Sequence, residues 1–137
     1  MTSIQVIQRL AFPADAVWSL IGDFGGLHRW HPQVRGLDLS WEGRIRTLHY
    51  VDGGRAVERL EARNDAACRY VYALVDGSLP LQACRSRIEA RAEGQHCLVS
   101  WASDFEVIGS NAGEIEAVMH QMHVNGLEAL TMVLGSL

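Results

Sequence analysis

Residues 111–134 read NAGEIEAVMHQMHVNGLEALTMVL. Apolar or small residues recur in it every three or four positions: Ile115, Val118, Met119, Met122, Gly126, Leu127, Leu130 and Val133/Leu134. An α-helix turns by about 100° per residue, so this spacing gathers them on one face. The stretch predicts an amphipathic helix of about six turns. So long a stripe needs an equally long apolar surface to lie against.

Upstream, the chain supplies a sheet. Glycines punctuate it at Gly25-Gly26, Gly43, Gly53-Gly54, Gly77, Gly94 and Gly109. The segments between them have the length of antiparallel strands joined by tight loops. Seven strands are expected: Ser3–Leu10, Val34–Trp41, Arg44–Val51, Ala56–Arg63, Arg69–Val75, Ala83–Arg91 and His96–Glu106. The turns at Glu42-Gly43, Asp52-Gly53-Gly54, Asp76-Gly77 and Glu93-Gly94 offer residues that accept positive φ. After the first strand, Pro13 opens a short helix whose stripe is Val17, Trp18, Leu20 and Ile21. Gly25-Gly26 breaks it, and Leu27–His31 predicts a second short helix stopped by Pro32. One large antiparallel sheet and one long helix must bury each other, an α+β fold.

Composition bounds the chemistry. A chain of 137 residues is one domain, at roughly 150 residues per domain. All 12 basic residues are arginine. Without a lysine there is no Schiff-base chemistry and no phosphate-loop lysine. A net charge of −4 argues against a nucleic-acid partner. Cys68, Cys84 and Cys97 form no C-x-x-C pair, which predicts reduced thiols rather than a disulfide framework or a zinc site. There is no apolar run long enough to insert in a membrane. Met1–Arg9 lacks the apolar region of a signal peptide, so the expected compartment is the cytoplasm.

Strand alternation shows which side chains meet the helix. In Ala83–Arg91 the inward set is Cys84, Ser86, Ile88 and Ala90, against Arg85, Arg87, Glu89 and Arg91 outside. In Ala56–Arg63 it is Ala56, Glu58, Leu60 and Ala62, against Val57, Arg59, Glu61 and Arg63. Much of this inner face is small where a solid core would be large, which predicts a hollow unless Trp18, Trp30, Trp101, Tyr70 and Tyr72 fill it. Glu58 stands on the same face. A buried carboxylate must be paired, wet or protonated: either an inward arginine or the sheet rim takes it, or it is the polar anchor of a pocket.

The segment Phe12-Pro-Ala-Asp-Ala-Val-Trp-Ser-Leu-Ile-Gly-Asp-Phe24, followed by Trp30-His31-Pro32, resembles the SRPBCC superfamily. Glu58-Arg59-Leu60-Glu61, Leu79-Pro80, Trp101 to Phe105 and Asn125-Gly126-Leu127 extend the resemblance over essentially the whole chain. The superfamily includes START-like lipid carriers, birch-pollen-allergen-like proteins, hormone receptors and polyketide cyclase/dehydrase-like proteins. The resemblance implies the helix-grip fold: a curved seven-stranded sheet around the C-terminal helix, two short helices after strand 1, and a ligand cavity between. It implies His31 where receptors carry a basic residue, with Glu58, Tyr72, Cys84 and Ser86 on the wall and Val118, Met122 and Gly126 on the helix side. Many relatives have a tyrosine at the Cys84 position, and those that condense amines use a lysine absent here.

Other motifs weigh less. His28-x-x-His31 and His120-x-x-His123 lack a third ligand at metal-site spacing, so no metal or cofactor is expected. Ser86 has no nucleophile elbow around it. Gly22, Gly25 and Gly26 lack the strand–turn–helix context of a nucleotide site. The leading expectation is a carrier or sensor of a small, largely hydrophobic or amphipathic molecule with one polar or acidic group. Its apolar body would meet Leu60, Tyr72, Ile88, Val118 and Met122, and its polar end His31 and Glu58. The alternative is a cyclase/dehydratase- or aldol-type enzyme with Glu58 and His31 as catalytic acid and base. A regulatory module gated by Asp52–Arg55 and Asp76–Leu81 is a third reading, and a homodimer is left open.

Overall fold

The computed structural model describes residues 1–137. The strands are β1 (Thr2–Leu10), β2 (Val34–Ser40), β3 (Ile45–Tyr50), β4 (Arg55–Asn64), β5 (Arg69–Gly77), β6 (Leu81–Glu93) and β7 (His96–Val107). They form one antiparallel sheet in the order β1-β7-β6-β5-β4-β3-β2. Helix α1 (Ala14–Ile21) follows β1, and α2 (Ala112–Gly135) ends the chain against β1 and β7. This is the helix grip. No helix is long and apolar enough to cross a membrane.

Helix α1 begins after Pro13, at φ −68°, and buries Val17 and Ile21. It stops at Gly22, where a Cβ would lie 2.5 Å from Trp18 Cε2, so only glycine lets the indole fold over the helix end. The second expected short helix is a single 3₁₀ turn, Leu27–Arg29. Three residues close it because Trp30 and His31 turn inward, both buried.

Of four register shifts in the sheet, two matter most for which side chains turn inward. Between Gln82 and Arg85 the register slips, and Ala83 takes the left-handed conformation, φ 51°. The extra residue lets Leu81 and Cys84 both reach the concave side, although strict alternation would oppose them. In β4, Leu60 pairs with Tyr72 but Ala62 pairs with Val71. Arg63 therefore pairs with Tyr70, an inward residue, and is not on the outer face as simple alternation predicts. Its guanidinium lies 5.4 Å over the Trp18 ring and donates to the Gly22 carbonyl.

The core has two parts. The larger packs Trp30, Tyr70, Tyr72, Ile88, Trp101 and Leu127 with α1. The smaller joins Ile4, Cys84, Phe105 and Met119 near the other end of the grip. The aromatic side chains thus fill much of the interior, and the hollow predicted from the small strand residues survives where the two clusters meet.

Candidate functional site

Strands β3 and β4 place Arg46 directly opposite Glu58. Arg46 is completely buried, and its Nε donates to Glu58 Oε1 at 2.8 Å. Its Nη1 donates to the Phe24 carbonyl at 3.1 Å and to the Tyr70 hydroxyl at 3.2 Å. The guanidinium lies 4.1 Å from the Phe24 ring centre and 4.7 Å from that of Tyr72. Nη2 has no hydrogen-bond partner, and aromatic faces supply its attraction instead. Glu58 is therefore not the isolated carboxylate of the apolar-face reading. Alternation along β3, with Arg46, Leu48 and Tyr50 on one side, carried the missed signal.

Glu58 and Tyr50 open onto a cavity between the sheet and α2. About 60 Å³ of it is reachable by the centre of a water molecule. At roughly 10–15 Å³ per water on that measure, it holds about four to six waters. Leu74, Leu79, Leu81 and Met119 line it, together with six of the residues expected from sequence: His31, Glu58, Tyr72, Cys84, Ser86 and Met122. The other four lie elsewhere. Leu60 packs on the larger core beyond Tyr72, and Ile88 is sealed inside that core. Val118 is 43% exposed. Gly126 lines no open space: a Cβ there would lie 2.6 Å from His31 Cδ2 and 2.9 Å from Trp101, so both rings abut the helix.

Val118 lies outside the cavity because of how α2 is rotated. The buried stripe of α2 is Met119, His123, Gly126, Leu127, Leu130 and Leu134. It is rotated by about a quarter turn from the stripe centred on Val118, Met122 and Gly126. His123, outside the apolar stripe read from sequence, is consequently buried. Its ring stacks on Trp101 with centroids 4.4 Å apart and planes 9° from parallel. His123 Nε2 lies 2.8 Å from Ser103 Oγ, which is 2.6 Å from Ser86 Oγ. Nδ1 is enclosed without a partner. Burial pushes the His123 pKa down to about 3, with the neighbouring His31 adding to the effect.

His31 is built into the frame. Its Nε2–H donates to the Met122 carbonyl at 2.8 Å, and Nδ1 accepts the Gln33 N–H at 3.1 Å. Burial lowers its pKa. It is thus a neutral ring with both nitrogens occupied, not a free basic residue facing a ligand. It and Glu58 line the same cavity without a hydrogen bond between them. Burial and the Glu58 charge push the Tyr50 phenol well above its ordinary value. The same two causes raise the Cys84 thiol to about 11, which keeps it protonated near neutrality. Ser86 is held by Ser103, with no general base in contact. Nowhere do three His, Cys, Asp or Glu side chains meet in a metal-holding group.

At the rim, Arg55 pairs with Asp76 at 2.6 Å, and its backbone N–H donates to Ser78 Oγ at 2.8 Å. These contacts tie the start of β4 to the end of β5 and to the β5–β6 loop.

Known proteins place this architecture. The solved structure of the protein XoxI from Bacillus cereus is 29% identical, with a TM-score of 0.94 over 98% of this chain and 96% of that one. A Thermobifida fusca protein is 32% identical, with a TM-score of 0.86 over 99% and 95%. The Zhui aromatase/cyclase of a Streptomyces species is 20% identical, with a TM-score of 0.82 over 98% and 92%, a likeness of fold. No curated protein matches. The family model described as polyketide cyclase/dehydrase and lipid transport matches residues 1–135, and the chain belongs to that family.

Proposed function

We propose that the protein binds a small, largely hydrophobic molecule carrying one polar group in the cavity between sheet and helix, as a carrier or sensor. The observation behind this is a mostly apolar hollow with Glu58 on its wall, whose second oxygen is left free by Arg46, and Arg55 at its rim. Pockets for small molecules combine an apolar lining with a few placed polar groups. The acid–base enzyme reading has less support. It needs a histidine with a proton to give, and both nitrogens of His31 are engaged within the protein.

Native mass spectrometry of freshly purified protein and a thermal-shift screen of small aromatic and alicyclic molecules test the proposal. A guest at about 100 times its Kd adds about 2.7 kcal/mol, which appears as a rise of several degrees in Tm. An empty protein that no compound stabilises would refute it. An activity that consumes a bound carbonyl compound, and disappears in Glu58→Gln, would favour the enzyme instead.

A further inference from the structure

The chemistry of the cavity wall narrows the guest's polar group. Arg46 covers Oε1 of Glu58, and no protein donor reaches Oε2. The Tyr50 hydroxyl likewise makes no hydrogen bond within the protein, and both residues line the cavity. The wall thus offers an acceptor, the carboxylate, and a phenol that can donate, near enough for the Glu58 charge to act on it.

It offers no free cation. Arg46 is buried behind the wall, bonded to Glu58, Phe24 and Tyr70, and does not line the cavity. His31 is neutral and spent on Met122 and Gln33. Arg55 stands at the rim, half-exposed and paired with Asp76. A carboxylate guest would meet Glu58 as a like charge and could give it no proton. An ammonium guest could satisfy Glu58 but would enter next to the buried Arg46 charge and leave the Tyr50 donor unused. A neutral hydroxyl both donates and accepts, and so matches the pair.

We infer that the guest is anchored by a neutral hydroxyl group, an alcohol or phenol, donating to Glu58 Oε2 and accepting from the Tyr50 hydroxyl. This rests on the binding role proposed above and fixes the polar group it takes. Size points to the rest of the molecule. Four to six waters occupy about 120–180 Å³ of liquid volume, the bulk of one substituted ring. The hydroxyl class takes the polar of the two end groups, polar or acidic, expected from sequence.

The test compares four probes of one shape by calorimetry at pH 7: 4-ethylphenol, 4-ethylbenzoate, 4-ethylbenzylammonium and ethylbenzene. The phenol should bind at least tenfold more tightly than each of the others. Equal or tighter binding of the benzoate, the ammonium or the hydrocarbon overturns the inference while leaving a binding cavity in place. If none of the four binds at millimolar concentration, the cavity-binding role falls and this inference with it. Tyr50→Phe supplies a second measurement. It should weaken the phenol five- to tenfold and leave ethylbenzene unchanged, whereas unchanged phenol affinity overturns the role given to the Tyr50 hydroxyl.

Discussion

Arg46 is completely buried and Glu58 nearly so, which makes each essential to the other's tolerance. Removing one charge leaves its partner unpaired in the interior. Arg46→Met should cost about 3–5 kcal/mol in urea unfolding, whereas Arg46→Met with Glu58→Leu should recover most of that loss. A double variant no more stable than the single one would mean the pair is not the cause. The buried histidines set the acid response. Their pKa values in the folded protein lie below the unfolded 6.5, so the unfolded chain binds more protons as pH falls. Stability is full above about pH 6.5 and declines below it, by about 1.4 kcal/mol per pH unit for His123 down to about pH 3. His31 declines in the same sense. His123→Gln should flatten the Tm profile between about pH 6.5 and 4.5; an unaltered slope would assign the loss to other groups. At this scale the sequence was partly legible. Glu58 stood out as a charge on an apolar face, with an inward arginine among its named partners. Arg46 itself escaped because its strand was located without its faces being compared.

The elements were read closely because their signals are local. Glycine turns bound the strands, and α2 declares itself through its period. Register is not local, so the bulges were hidden: an extra residue carries no compositional mark, yet it reverses every side chain after it. Ala83 shows the cost. Its φ of 51° is strained for a residue with a Cβ, and glycine would relieve it. Ala83→Gly should be neutral or stabilising by up to about 1 kcal/mol, and Ala83→Val destabilising, by thermal unfolding. The rotation of α2 was also hidden. Its apolar residues cover more than one face, and only the packing of His31 and Trp101 against Gly126 selects the buried one. Gly126→Ala gains helix propensity of about 1 kcal/mol. The new methyl must displace those two rings, at about 1–3 kcal/mol. The variant should come out less stable, and a more stable one would show that the rings yield freely.

For the molecule as a whole, the helix grip was legible because the family resemblance spans the chain and agrees with the strand count. How far the grip is filled was not, since that depends on which way four or five large rings point. Trp30, Tyr70, Tyr72 and Trp101 turn inward and pack one end, leaving the hollow toward the Arg55–Asp76 rim. Guest binding should therefore slow hydrogen exchange in the β3–β4 and β5–β6 loops and leave α1 unchanged. Protection centred on α1 would place the guest elsewhere.

The position of Trp101 has an optical consequence. Its indole borders the cavity, lies flat on His123 and donates to the Tyr72 hydroxyl at 2.9 Å. Trp41, at a hairpin tip, is 77% exposed and emits at the long-wavelength, water-like end of the spectrum. With Trp41 replaced by phenylalanine, the remaining emission comes from Trp18, Trp30 and Trp101, and only Trp101 touches the cavity. The chain thus carries its own fluorophore for titrating occupancy without a dye.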